Sequence, residues 1–388
     1  MALGSHLTEQ AWAKIESSYN DSTVVSGLAA TDAFLHRQLR AGPGRWNRVP
    51  NPGRRTTPDV ASVLDRRMSA EWSLAAGWEP SGTLGTASDL QDILTALLGT
   101  KVAAGSGTGV TTTVAASPTP TTTGVTEASA TGLAVGDIIV VTMPLGHREA
   151  TRIKTIATNA LTFDALSAAP ASGAAVVAGV TYKLATQTTV QSLGIAKKDT
   201  TNSTYEGVGG AVVNEGQVVF DGNEEAQWTF SGPAARYYVS GLTLPGSQTL
   251  SPSNPLSGIA AGNVYLDGTA FTVLRAALRV TNNWGLRIGE LGSAYATGAF
   301  RAGKRSVGLD LTYFFDATTL RDLALAKTAS TVRAIIGSTN GKMLAFVAPQ
   351  VEWEIEDVPA GDSGPKNASA SGVCVAPSGN DEVFVAEV

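Results

Sequence analysis

Apolar and polar residues alternate with a period of two along most of this chain, the pattern of strands that bury one face. Residues 68 to 79 alternate and carry Trp72 and Trp78. Further runs cover 138 to 143, 148 to 156, 161 to 163 and 174 to 184. Three tight-turn pairs predict hairpins: Asp221-Gly222 between 212–220 and 226–230, Asp267-Gly268 between 265–266 and 271–280, and Asn340-Gly341 between 332–336 and 343–347. Gln350 to Glu356 alternates strictly, with glutamates on one face, and Glu382 to Val385 forms a last strand. Two short segments instead have helical spacing. Leu90, Ile93, Leu94, Leu97 and Leu98 fall on one face, with Ser88 and Gln91 as a capping box and Gly99 as the stop. Leu320 and Leu323 face inward in the second, with Asp316 as N-cap.

One order occurs twice. A basic entry, Arg66-Arg67, leads into the strand Ala70-Glu71-Trp72-Ser73-Leu74, then a loop and the first helix. Lys304-Arg305 leads into Val307-Gly308-Leu309-Asp310-Leu311, then the second helix. This predicts two copies of one β module. Residues 1 to 65 read as an irregular arm with turn signals at Gly42-Pro43-Gly44 and Asn51-Pro52-Gly53, to be packed on something else or disordered. Residues 104 to 124, rich in Gly, Ser, Thr and Pro, read as a linker, and the strands after it as an inserted small β-barrel or sandwich. The expected division is 1–103 for the first module with its arm, 104–186 for the insertion, 187–255 for the rest of the first module and 256–388 for the second.

The length of 388 residues agrees with more than one core, and the 42 glycines and 17 prolines agree with many turns. No apolar run is long enough to span a membrane as a helix. The N-terminus lacks a basic-then-apolar leader, so synthesis in a cytoplasm is expected. Cys374 is the single cysteine, which excludes an intrachain disulfide or a multi-cysteine zinc site. The net charge of -5 hides an asymmetry: residues 30 to 70 carry eight arginines against three aspartates, and residues 350 to 388 carry eight acids against Lys366. Nucleic-acid binding by the basic stretch would call for interleaved aromatics, of which it has only Phe34 and Trp46. Self-association of a basic edge with an acidic one accounts better for the asymmetry, with solvated charged loops as the other reading. The subunit-contact candidates are Arg54, Arg55, Arg66 and Arg67, and the acidic face is Glu352, Glu354 and Glu356.

Catalytic sets are not legible. Gly361-Asp362-Ser363-Gly364 resembles a serine-protease loop, but His6, His36 and His147 stand in no base motif. Gly337 to Met343 lacks P-loop spacing and is better read as a hairpin turn. No enzyme, cofactor or metal is expected.

Ala70-Glu71-Trp72-Ser73-Leu74 through the helix ending Leu98-Gly99, Tyr205-Glu206-Gly207 with the following hairpin, Arg279 to Asn283, and Gly303 to Leu311 together resemble bacteriophage tail tube (major tail) proteins in pattern and order. The likeness covers roughly 1–103 and 187–388. It implies a mainly β fold of two tandem tail-tube-type β-sandwich modules, each with a short helix, plus the inserted domain, which such proteins often carry outside the tube. It implies a structural virion protein whose rings stack into a tail tube, enclose the tape measure protein and conduct DNA without specific binding, bounded by tail terminator and tail-tip proteins. Two modules per chain favour a threefold, pseudo-sixfold ring over a hexamer. The insertion would then project outward and be dispensable for assembly. The glutamates would face either the lumen or a stacked ring. Other β-type virion components (baseplate or decoration) and a carbohydrate-binding module are the alternative readings.

Overall fold

The computed structural model describes residues 9–43, 48–50, 63–65, 69–186, 190–257, 262–314, 319–355 and 367–388. It is mainly β, with 50% of the chain in strands and 8% in helices. In the first half the strands are β1 (Glu9–Ile15), β2 (Ala33–Phe34), β3 (Gln38–Pro43), β4 (Ala70–Gly77), β5 (Leu193–Asp199), β6 (Thr204–Ala211), β7 (Glu215–Asp221), β8 (Gln227–Ala234) and β9 (Arg236–Tyr238). In the second they are β10 (Asn263–Leu266), β11 (Thr269–Phe271), β12 (Arg275–Thr281), β13 (Ser306–Phe314), β14 (Ser330–Thr339), β15 (Lys342–Ile355), β16 (Asn367–Cys374) and β17 (Phe384–Glu387). Helix α1 (Gln91–Leu98) follows β4 and helix α2 (Thr319–Ala326) follows β13.

The pairing order is the same in both halves. An outer sheet runs β9-β6-β5-β1-β2 in the first half and β17-β15-β14-β10-β11 in the second. An inner run is β3-β4-β8-β7 in the first and β12-β13-β16-β15 in the second. The long strand β15 does the work of both β6 and β7: residues 344–347 pair with β17 in the outer layer, and 351–355 pair with β16 in the inner one. The two inner runs join through β7 and β12, antiparallel, from Glu215 opposite Thr281 to Asp221 opposite Arg275. Eight inner strands thus form one continuous antiparallel sheet. A small two-stranded hairpin rises between the first two inner strands of each half, Arg48–Pro50 with Val63–Asp65 and Trp284–Arg287 with Gly298–Arg301.

The main core lies between the inner sheet and its outer layers. Trp72, Leu74, Trp228, Phe230, Val218, Leu278, Leu309, Leu311 and Trp353 point into it from the inner strands. Helix α1 seals the first half, with Ile93, Leu94, Ala96, Leu97 and Leu98 all buried, whereas α2 fully buries only Leu320. Gly99 ends α1 at φ 112°, a conformation open to glycine. Ser88 makes no capping box. Its backbone N–H and hydroxyl both donate to the carboxylate of Glu387, and no side chain caps the helix. The buried Glu387 also accepts from Trp78 Nε1 at 2.9 Å and from the Tyr182 hydroxyl at 3.2 Å. Asp316 lies outside the described residues.

The N-terminal arm is not irregular where it is described. β1 pairs with β5 over seven residues and inserts Trp12, fully buried, beside Val25, Leu28, Ala196 and Leu242. Gly42 and Pro43 belong to β3 rather than to a turn.

Residues 104 to 124 are not a linker either. They supply one of six strands and the first residue of another, in a sheet of the order Val110–Thr113, Ala175–Ala178, Ile138–Thr142, Arg148–Ala157, Ala160–Phe163 and Gly124–Thr126. The first and last close on each other through the Val114–Glu127 bridge, which makes a barrel around Val125, Ile139, Val141, Ile153, Leu161, Phe163 and Val176. The apolar run 174–184 breaks at Gly179. Its second part, Val180–Leu184, leaves the barrel and pairs with Gly99–Ala103 on one side and β17 on the other. The barrel is seated on the second half. Ile138, Val140, Ala150 and Val177 pack on Ile335, Met343, Ala345, Val347 and Phe384. Inside that contact, Arg333 pairs with Glu149 at 3.2 Å, with both side chains buried, and donates to the Ala150 carbonyl at 2.8 Å.

Candidate interaction surface

Alternation gives every inner strand one face toward the core and one away from it. The outward positions fall in register across the sheet. One row reads Ala75, Thr229, Gln217, Arg279, Gly308, Val373, Glu352. The next reads Arg40, Ser73, Ser231, Glu215, Thr281, Ser306. Another carries Val219, Asp310, Ser371 and Glu354, with Ala277 between Val219 and Asp310 fully buried. This face is polar and built mostly of small side chains. Its acids, Glu71, Glu215, Asp221, Asp310, Glu352 and Glu354, outnumber its cations, Arg40, Arg275 and Arg279. Ser371 donates to Asp310 at 2.8 Å across two strands, and Asp221 stands directly opposite Arg275.

The two ends of the inner sheet are strand edges. Among the described residues, β3 hydrogen-bonds as a strand only to β4, and β15 beyond Val351 only to β16. An edge strand presents a row of unpaired backbone groups and accepts another strand. Eight antiparallel strands are an even number, so the two edge strands, β3 and β15, run antiparallel to each other.

Glu352 and Glu354 are exposed on this face, while Val351 before them and Trp353 between them are buried. Glu356 and the candidates Arg54, Arg55, Arg66 and Arg67 lie outside the described residues. Of the duplicated basic entry, Arg305 binds Glu382 through two nitrogens, Nη2 donating to both carboxylate oxygens at 2.8 Å and Nε to one of them at 3.2 Å, and so fixes the start of β13 to the loop before β17. The remaining charged positions of the open face sit at the polar places of the alternating hairpins, and that alternation is the signal that finds them.

The residues with catalytic potential are spread apart. His36 faces Glu9 at 3.5 Å, and burial pushes its pKa down. His147 contacts Glu149 at 3.1 Å at the barrel seat. Gly337 to Met343 forms the β14–β15 hairpin, with Thr339 opposite Lys342. The Gly361–Gly364 loop lies outside the described residues. Burial pushes the Cys374 thiol up to about 12. Among the described residues no group of His, Cys, Asp and Glu has the arrangement of a metal site, and no helix is long and apolar enough to cross a membrane.

No protein-family model and no curated protein matches the sequence.

Proposed function

We propose that this chain is a structural subunit of a bacteriophage tail tube, and that its two halves are tandem copies of one tube module. The observation that carries the reading is the inner sheet: eight strands in a twice-repeated order, a small-residue polar face left uncovered, and an open edge at each end. A hydrophilic sheet face of this width, free of packing, suits the wall of a water-filled bore. Joining edges between copies removes both open strands, and a cyclic arrangement leaves none over. Each chain supplies two modules, so three chains make a pseudo-sixfold ring. The net negative face, including Glu352 and Glu354, then lines the lumen and keeps DNA phosphates from sticking. The tape measure protein occupies that lumen before DNA passes.

Ring stacking belongs to the hairpins between the first two inner strands. In the second half this hairpin region leaves Ile288, Leu291 and Phe300 exposed. In the first half the same position holds the arginine-rich connection with Arg54 and Arg55. Exposed ion pairs contribute about 0.2–1 kcal/mol each, so stacking rests on many repeats. The test is solution mass by light scattering, for the wild type and for a variant with proline at Leu39 and Ala41 of β3. The reading expects the wild type at three chains or a multiple of three, and the variant as single folded chains. A wild type that stays a monomer at high concentration, or a variant that assembles equally well, would contradict it.

A further inference from the structure

The closing seam of the inserted barrel holds a buried acid without a partner. Glu127 forms the bridge to Val114, and its backbone N–H donates to the Asn159 carbonyl at 2.8 Å. Two more bonds complete the seam, Ala115 N–H to the Thr126 carbonyl at 2.7 Å and Ala128 N–H to the Thr113 carbonyl at 2.8 Å. Glu127 follows Val125 on the same strand face, is 1% exposed, and neither carboxylate oxygen has a hydrogen-bond partner. Its neighbours have spent their polar groups elsewhere: Thr112 Oγ1 accepts from Ser129 N–H, and Asn159 Oδ1 accepts from Ala130 N–H.

No charge compensates for the burial. The strand Val110–Thr113 carries no titratable group, and neither does Ala160–Phe163. On Arg148–Ala157, the next strand round the barrel, Arg152 and Lys154 both pair with Asp164, Glu149 pairs with Arg333, and Arg148 reaches Asn340. An ionised carboxylate in such a place loses its hydration and gains nothing in return, so the neutral acid is the form that fits.

We infer that the barrel is a pH-responsive unit whose seam, between Val110–Thr113 and Gly124–Thr126, is closed with Glu127 protonated and loosens when Glu127 ionises. Burial pushes the Glu127 pKa up to about 7 from an ordinary value of 4.5. A folded-state pKa above the unfolded one means that the closed seam is fully favoured below pH 4.5 and loses that advantage as pH rises through about 7. The body of the molecule does not share this dependence through Glu127, because the seam lies within the barrel's own cluster and not in the contact with the second half.

The experiment is hydrogen exchange of the full chain at pH 5.5 and 8.5, corrected for the intrinsic rate, on the wild type, Glu127→Gln and Glu127→Leu. The expected result is a drop in protection of about tenfold or more in residues 110–116 and 124–128 of the wild type at pH 8.5, with β4 and β13 unchanged, and no such drop in either neutral variant. Two neutral variants keep the test decisive if one of them fails to fold. Equal seam protection at both pH values in the wild type, or an equal loss in the variants, overturns the inference.

Discussion

Gly232 and Gly372 occupy matching places in the two halves, each following a serine on the third strand of its inner run. A Cβ on Gly372 would stand 2.4 Å from Val351 Cγ1 and 2.9 Å from the Trp353 ring, and one on Gly232 would stand 1.9 Å from the Val212 carbonyl oxygen. Both glycines let the strand pass close to the point where the chain turns from the outer to the inner layer. Gly372→Ala should destabilise by about 1–3 kcal/mol, because side chains have to shift, and Gly232→Ala by more, because backbone has to. Urea unfolding of the two variants checks the order. Cys374 offers a second test at this scale. It is 4% exposed, and a thiol reagent should reach it only after unfolding. Some of this was legible in sequence: the inward Leu90, Ile93, Leu94, Leu97 and Leu98, and the alternation that leaves Glu352 and Glu354 exposed. Ser88 was misread because its true partner, Glu387, is 299 residues away, and no local pattern reports such a bond.

At the scale of elements, turn chemistry carried most of the information. Asp221-Gly222 and Asn340-Gly341 joined the strands their sequence implied, β7 to β8 and β14 to β15. Asp267-Gly268 joined β10 only to the short β11, because the longer strand after it pairs with β7 and β13 instead. The low-complexity stretch misled, since threonines in Val110–Thr113 alternate around buried Val110 and Thr112 as strand residues do. That changes the expectation for the insertion. Deleting 104–179 and joining Ala103 to Val180, which are paired neighbours, strips the cover from Ile335, Met343, Ala345, Val347 and Phe384. The shortened chain should aggregate on gel filtration, and replacing Ile335, Val347 and Phe384 with polar residues should restore soluble protein. Solubility of the plain deletion would mean that the barrel is a mere appendage. The Arg333–Glu149 pair belongs to the same seat. Arg333→Met takes the guanidinium from the buried Glu149 carboxylate, which keeps only Ser167 and His147 as partners, so it should cost about 3 kcal/mol in thermal or urea unfolding.

For the whole molecule, the repeat is the fact from which the proposed assembly follows. Its traces in sequence were thin, a basic entry, a strand and a short helix seen twice. The repeated strand order could not be read there, because β4 meets β8 and β13 meets β16 across long stretches of chain. Nor could the joining of the halves, which rests on the β7–β12 pairing. Once the order is known, the halves predict how copies meet: the β15 end of one chain against β3 of the next, on the pattern of β7 against β12. In the proposed ring the polar face lines the inside, and the barrel, which packs on the outer layer of the second half, lies outside. The most direct measurement is electron microscopy of the purified protein with averaging of end-on views. The account predicts rings or stacked tubes with an open centre, threefold symmetry with pseudo-sixfold inner walls, and three outer protrusions per ring. Rings of six chains, or particles with no central channel, would contradict it.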